Sequence, residues 1–248
     1  LSTAPIVLSG SDEQKQQYLP PVVTGDSYIA FALTEPNAGS DAASITTRAE
    51  EKDDCYVLNG RKCFITNGGV ASFYVVTAMT DKSQGVKGMS AFLVDRNTPG
   101  VTVSPDIPRM GIRAASNCEV ALTDVRVPAD RLIGKEGMGY KIAMGALAGG
   151  RIGIGAQAVG IAQGAIDEAL VYVKERKQFG KAIAKFQNTQ FQLADMQTKV
   201  DAARLMVWRA AVAKDNHENY APLAAMCKLF ASQVCNEVAR EAVQLFGG

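Results

Sequence analysis

Four stretches of the sequence combine residue types at spacings that could do chemistry. Leu33 to Asp41 (LTEPNAGSD) sets hydroxyls at Thr34 and Ser40 around the small residues Ala38 and Gly39. Backbone N–H groups and hydroxyls in such a loop can cradle a phosphate or the polar edge of a ring. The same residues also make an ordinary surface turn, because Asn and Asp side chains bond their own backbone. Phe64 to Gly69 (FITNGG) places an aromatic and a hydroxyl, Phe64 and Thr66, ahead of a glycine turn. That is equally a plain strand end. Gly153 to Ala158 (GIGAQA) fits the dinucleotide fingerprint, with Glu175 near the acidic position downstream. The fingerprint requires a strand immediately before it and a βαβ unit around it, whereas Tyr140 to Arg151 reads as helix, so a Rossmann site is set aside. Arg176 to Gly180 (RKQFG) closes a long helical pattern. Its Arg176 could grip a phosphate bidentately or serve the helix C-terminus. Arg151, a charge among small residues, needs either a protein partner or a ligand.

Other chemistries are excluded by composition. His217 is the only histidine and lies in a polar helix–helix connection, which rules out a histidine-based zinc site and an HExxH helix and leaves no histidine for a serine triad elsewhere in the chain. The five cysteines (Cys55, Cys63, Cys118, Cys227 and Cys235) are odd in number and scattered. They read as reduced thiols of an intracellular protein. Lys and Arg number 26 against 25 acids, a net charge of +1, which gives no field to draw in nucleic acid or anionic lipid. No run of about 18 apolar residues is apparent, so no membrane span is expected. At 47% apolar and 21% charged, the chain has an ordinary globular balance.

Two regimes must position these residues. Residues 1–26 read as a short helical remnant, with a capping signal at Ser11 to Gln14 and a stop at Pro20-Pro21. Residues 27–130 read as a β domain of short strands fenced by turn residues: Tyr28–Leu33, Cys55–Leu58, Arg61–Thr66, Phe73–Met79, Ser90–Asp95 and Cys118–Leu122. Asn59-Gly60 reads as a hairpin turn, and no helix long enough for a crossover intervenes, so an antiparallel sandwich or barrel is expected. Residues 131–248 carry helical patterns over about Gly137–Lys174, Gln187–Lys214 and Ala221–Phe246, an incomplete helical bundle. Met196, Met206, Met226 and Trp208 fall on those patterns as core residues. The glycines of the first helix each cost about 1 kcal/mol relative to alanine, which implies close approach by another helix or by a ligand. A helix tail at Leu1 and a terminal Gly247-Gly248 pair give the expectation of a fragment, cut at both ends from a longer protein.

The motifs occur in a telling order: TEPNAGSD after a strand, FITNGG at a strand end, RIGIGAQAVGIAQGA in a long helix, KERKQFG, and finally AVQLFGG. This series, spread over essentially all 248 residues, resembles the acyl-CoA dehydrogenases, most closely the short-chain, butyryl-CoA type. The resemblance implies an α+β multidomain protein with an N-terminal helical domain, a central β domain and a C-terminal helical bundle, assembled as a homotetramer around FAD. It implies FAD-dependent α,β-dehydrogenation of an acyl-CoA thioester, with electrons passed to an electron-transfer flavoprotein, in a bacterial cytoplasm or a mitochondrial matrix.

Residue by residue, the resemblance puts the flavin loop on Phe31, Leu33, Thr34, Gly39 and Ser40, with Ser40 shared with the thioester ligand. Phe64, Ile65 and Thr66 match the strand end that borders the isoalloxazine, with Phe64 where many relatives have Trp. Arg176, Phe179 and Gln187, and the run Gln244, Leu245, Phe246, Gly247 and Gly248, match residues that hold the FAD of a neighbouring subunit. Arg151 matches a CoA contact, although Ala148 stands where the family often has Asp. A glutamate base is implied beyond Gly248, or in isovaleryl-type relatives just before the Arg, where this chain has Gly150. No catalytic residue and no metal ligand is therefore expected within the chain. Three alternatives stay open: a binding-only homologue with fold and flavin but no base, an acyl-CoA oxidase, and a DNA-associated branch, the last disfavoured by the neutral charge.

Overall fold

In the computed structural model, which describes residues 1–248, the chain forms two compact units, Leu1–Ala146 and Leu147–Gly248. The sequence boundary at 130/131 precedes this division, which falls inside the first long helix.

The first unit opens with three short helices, α1 (Ala4–Ser9), α2 (Asp12–Tyr18) and α3 (Pro20–Val23). Ser11 and Gln14 form a full capping box: the Ser11 hydroxyl accepts the Gln14 N–H at 3.2 Å, and Gln14 Oε1 accepts the Ser11 N–H at 3.1 Å. Gln14 Nε2 then donates to the Asp130 and Leu132 carbonyls at 2.7 and 2.9 Å, which ties α2 to the segment after the sheet. As the sequence predicts, α2 ends ahead of Pro20-Pro21, at Tyr18. The prolines occupy the first turn of α3, where a missing N–H costs nothing.

Seven strands follow: β1 (Ile29–Ala32), β2 (Arg48–Lys52), β3 (Cys55–Thr66), β4 (Phe73–Met79), β5 (Met89–Asp95), β6 (Val101–Val103) and β7 (Asn117–Pro128). They make one sheet in which β5 lies on one edge of β4, β1 and the end of β2 share the other, and β3, β7 and β6 continue outward. Most pairs are antiparallel, but β1 runs parallel to β4, with Ile29 opposite Phe73. The strands β4 and β5 read as unbroken apolar runs because both faces are covered. Tyr74, Val76, Phe92 and Val94 enter the main sheet core. Phe73, Val75, Ala91 and Leu93 pack on the opposite side against Ile6, Tyr18, Ile133 and Ile142.

Asn59-Gly60 is not a hairpin turn. Cys55 to Thr66 is one continuous strand, and the register of β3 on β7 slips between Leu58 and Gly60, a β-bulge. The turn signal is overridden by tertiary bonding: Asn59 Nδ2 donates to Asp124 Oδ1 at 3.0 Å, and Asn59 Oδ1 accepts the Asp124 N–H at 2.9 Å. The glycine is required because a Cβ at position 60 would lie 2.7 Å from Thr47 Cα. The real hairpin joins β2 to β3, with Lys52 opposite Cys55 and Asp53 in the left-handed region at φ 56°.

Helix α4 (Gly139–Glu175) leads into the second unit, which contains the two-strand β8 (Lys177–Gln178) and β9 (Lys181–Ala182), α5 (Gln187–Asp215) and α6 (Ala221–Phe246). Buried residues recur at helical spacing: Ile152, Val159, Ala162, Ile166 and Ala169 on α4; Met196, Val200, Ala203, Val207 and Ala210 on α5; and Cys227, Ala231, Val234 and Val238 on α6. Only part of the glycine expectation is met. A Cβ at Gly155 would lie 3.1 Å from Val207 Cγ2 and 3.4 Å from Cys227 Sγ, whereas Gly153, Gly160 and Gly164 face open space. Trp208 and Met226, expected in the core, are 59% and 50% exposed. The expectation of no membrane-length apolar segment also needs correcting. Over an 18-residue window α4 reaches a mean hydropathy of 1.2 and by length and composition alone is apolar enough to cross a membrane; isoleucine, valine, leucine and alanine supply this, although glycines and Arg151 break any continuous apolar run. All five cysteines are free thiols.

Gly60→Ala should lower the urea midpoint by the equivalent of about 1–3 kcal/mol, because Thr47 backbone is in the way. Gly39→Ala, at a position with open space around it, should leave the midpoint within about 0.5 kcal/mol of the parent. Equal effects would refute the bulge account.

Candidate functional site

The LTEPNAGSD loop leaves the sheet at the end of β1. Reciprocal bonds between Glu35 and Ala38, each N–H to the other carbonyl at 3.1 Å, close its tight turn. Leu33 and Ala38 are buried, Phe31 and Thr34 are half-buried, and Gly39 and Ser40 are exposed, so the hydroxyls and the open glycine lie on the outer side. The residue that organises the loop is one that sequence reading passed over. Glu35 is 4% exposed, and its carboxylate accepts the Thr46 N–H at 2.6 Å, the Thr46 hydroxyl at 2.8 Å and the Thr47 N–H at 3.0 Å. It also meets the ammonium of Lys62, wholly buried, at 2.8 Å. Lys62 Nζ donates in addition to the Leu33 carbonyl at 3.2 Å and the Thr77 hydroxyl at 3.3 Å. Local sequence carries little signal for this pair: Lys62 follows another cation, Arg61, and Glu35 lies between Thr34 and Pro36, although a buried charge requires a partner.

Burial by itself would raise the Glu35 carboxyl, but the Lys62 charge and the hydrogen bonds from Lys62, Thr47 and Thr46 hold it at about 2. Burial pushes the Lys62 ammonium down to about 8, with Glu35 opposing. At neutral pH the two form an ion pair. Neighbouring Cys63 is buried and its thiol is pushed up, chiefly by burial, so it has no thiolate character to offer as a nucleophile.

The FITNGG segment stands beside this loop. Cys63 N–H donates to the Thr34 carbonyl at 2.9 Å. A second register slip, between Lys62 and Ile65, turns the next residue out: Phe64 adopts φ 55° and is 64% exposed, while Ile65 is 1% exposed. Thr66 is exposed. The following turn is pinned from several directions. Arg96 Nη1 donates to the Gly68 and Gly69 carbonyls at 3.1 and 2.7 Å, Tyr74 hydroxyl donates to the Gly68 carbonyl at 2.9 Å, and Ser116 hydroxyl accepts the Gly69 N–H at 2.9 Å. A planar aromatic, a half-buried Thr34 and an exposed Thr66 hydroxyl are thus displayed on rigid supports.

In the second unit, β8 and β9 form a tight hairpin with Phe179 and Gly180 at its tip, both at positive φ (53° and 74°). Phe179 is 92% exposed and meets Phe186 edge-on with centroids 6.1 Å apart, while Lys181 lies 4.4 Å over the Phe186 ring. Arg176, just before β8, and Gln187, the first residue of α5, are both exposed. The GIGAQA stretch lies within α4, which removes the Rossmann reading. Arg151 is exposed and pairs with no carboxylate. At the end of α6, Gly247 caps the helix at φ 105°. Phe246 stacks on Tyr172 with centroids 4.4 Å apart, and its carbonyl accepts the Tyr172 hydroxyl at 3.3 Å. Gln244 and Gly248 are exposed and Leu245 half-buried. His217, exposed between α5 and α6, has φ 58°.

A β unit with two displayed loops and an antiparallel helical unit define a two-part scaffold, and comparison with known proteins gives it a family. Residues 30–125 match the acyl-CoA dehydrogenase middle domain and residues 137–248 the acyl-CoA dehydrogenase C-terminal domain. The chain belongs to the acyl-CoA dehydrogenase family. It is 48% identical over 249 aligned positions to the short-chain specific acyl-CoA dehydrogenase of Megasphaera elsdenii, covering 100% of this chain and 65% of that one. It is 46% identical over 248 residues to the caffeyl-CoA reductase–Etf complex subunit CarC of Acetobacterium woodii, again covering 100% of this chain and 65% of the relative. The solved structure of butyryl-CoA dehydrogenase from Megasphaera elsdenii superposes with a TM-score of 0.95 at 48% identity, over 98% of this chain and 64% of that one. The chain therefore spans just under two thirds of the length of these relatives.

Because Glu35 is held at about 2 in the fold against an ordinary 4.5, the stability it contributes is complete above about pH 4.5 and is lost as pH falls towards about 2. Urea midpoints measured across that range should drop steeply in the parent and less so in Glu35→Gln, the difference in slope being at most about 1.4 kcal/mol per pH unit. Parallel slopes would show that Glu35 carries no such load.

Proposed function

We propose that these 248 residues are the flavin- and thioester-binding part of a short-chain acyl-CoA dehydrogenase, an oxidoreductase that converts a short-chain acyl-CoA to its trans-2-enoyl-CoA and passes electrons to an electron-transfer flavoprotein. The observation that carries this reading is Phe64, exposed at a left-handed backbone position beside Thr34 and Thr66, in a chain of this family. An exposed aromatic at strained geometry costs free energy twice, through strain and through unburied apolar surface. A flat ligand with one apolar face and a polar edge offsets both, and isoalloxazine is such a ligand. The residues present therefore fit FAD, which when bound supplies the acceptor for the hydride leaving the substrate Cβ.

This chain's own residues have definite tasks in that reading. Phe31 and Phe64 offer apolar contact, buried Leu33 anchors the start of the loop, Thr34 and Thr66 offer hydroxyls to the ring edge, and buried Ile65 locks the strand end. Gly39 leaves room for close approach, and exposed Ser40 serves the thioester ligand. Arg151, with no carboxylate partner, is free to meet an anionic group of CoA. Arg176, Phe179, Gln187 and the run Gln244 to Gly248 hold the FAD of a neighbouring subunit in a tetramer. Phe179 supports this as Phe64 does, because it too is an exposed aromatic at positive φ. In the resemblance-based assignment no glutamate of this chain occupies the position of the base, so the 248 residues alone bind without turning over. Relatives named for an Etf complex and for short-chain substrates support the electron acceptor and the acyl class. A bacterial cytoplasm or a mitochondrial matrix suits both.

The test is the visible absorption spectrum of the purified chain after incubation with FAD and desalting. We expect a retained flavin band. Phe64→Ala should weaken binding about three- to tenfold, the value of one aromatic contact of about 0.5–1.5 kcal/mol. Anaerobic butyryl-CoA should leave the band unbleached. A spectrum without flavin would overturn the cofactor reading, and bleaching would show that a base is present within these residues.

A further inference from the structure

We infer that the buried Glu35–Lys62 pair is a positioning device for the cofactor site: it fixes the main chain at Leu33–Thr34 against Lys62–Cys63 and so sets where Thr34, Phe64 and Thr66 are presented. The inference deepens the flavin reading above and rests on it. The pair's bonds converge on four segments that are distant in sequence. Lys62 on β3 reaches Leu33 and Glu35 in the loop and Thr77 on β4, while Glu35 reaches Thr46 and Thr47 ahead of β2. Each candidate cofactor residue is then one to four positions from a fixed point: Thr34 lies between Leu33 and Glu35, and Phe64 and Thr66 follow Lys62 on the same strand. The Cys63 N–H to Thr34 carbonyl bond, 2.9 Å, is the direct link between the two segments.

Stability does not account for the pair. Two charges are taken almost wholly out of water, and an apolar replacement of similar volume is often neutral or more stable. What an apolar contact cannot supply is direction. Three ammonium donors aimed at a carbonyl, a carboxylate and a hydroxyl fix a loop in one orientation, whereas methylene packing tolerates sliding. Glu35 and Lys62 are thus positioning residues, since neither is exposed to touch a ligand.

The experiment separates folding, loop geometry and cofactor. In Glu35→Gln/Lys62→Met the glutamine oxygen can still accept the Thr46 N–H and hydroxyl, its amide nitrogen replaces the oxygen that accepted the Thr47 N–H, and no charge is stranded. We expect it to fold with a lowered urea midpoint at neutral pH, since the Thr47 N–H and the Leu33 carbonyl lose their partners, its FAD dissociation constant to rise about tenfold, and amide hydrogen exchange at Cys63 to accelerate about tenfold or more. Thr77→Val removes one acceptor of Lys62 with almost no change of shape and should show the same two effects at about threefold, which provides a decision should the double variant not fold. Unchanged Cys63 protection in the folded variants overturns the positioning role. Accelerated exchange with FAD affinity within twofold of the parent confines that role to the loop and overturns its link to the cofactor. Accelerated exchange in a chain whose parent form takes up no FAD defeats the flavin reading while leaving the loop geometry supported.

Discussion

The contact between Glu35 and Lys62 is the constraint on which the β unit's displayed loops depend. Residues 33–47 run from β1 to β2 with only a short 3-10 turn at Ala42–Ser44, and buried backbone N–H groups along such a path need partners. The Thr46 and Thr47 N–H groups find theirs in the Glu35 carboxylate. That leaves a buried anion, which Lys62 neutralises at 2.8 Å. Lys62 in turn has donors to spare, and these are taken up by Leu33 and Thr77. Each bond creates the requirement that the next one meets, which is why the network closes only in one arrangement of the four segments.

A second theme is the display of aromatic rings on backbone that resists it. Non-glycine residues at positive φ cost of order 1–3 kcal/mol and persist only where the surroundings over-determine them. At Phe64 the surroundings are the register slip on β7 and the buried neighbours Cys63 and Ile65. At Phe179 they are the two-residue hairpin between β8 and β9, a turn that demands left-handed conformations and usually employs Asn-Gly. A phenylalanine at such a tip, 92% exposed, gains from folding only its edge contact with Phe186. Each unit therefore carries its own strained and solvent-facing ring.

Much of this architecture was legible in local sequence. Ser11 and Gln14 announced α2, Phe73–Met79 is the observed β4 residue for residue, and α6 spans Ala221–Phe246 as its apolar periodicity predicts. The motif series gave the family and pointed to Phe64 and Phe179. What failed was whatever depended on distant partners. Asn59-Gly60 looks like a turn because nothing nearby in sequence reveals that Asp124 satisfies the asparagine and that Thr47 demands the glycine. Trp208 and Met226 sit on helical periodicities yet face outward, since periodicity gives spacing but not which face is covered. Lys62 was passed over because its acid is 27 positions away, inside a motif that had been read for its hydroxyls and glycine.

Neither Glu35 nor Asp95 is suited to take a proton from a ligand at this loop. A carboxylate that abstracts a proton next to a thioester needs a raised pKa and a free lone pair facing the substrate. Glu35, the most buried carboxylate near the displayed residues, is the opposite: it is held at about 2 and its oxygens are occupied by Thr46, Thr47 and Lys62. Asp95 is pushed upward by burial, but it stands 3.7 Å from Arg131 with half its side chain in solvent, so it is only partly desolvated and it is paired. The environment that makes Glu35 a good anchor disqualifies it as a base, for an anchor is held by strong acceptance and a base works by incomplete acceptance. Glu35 therefore fills a structural role in this loop.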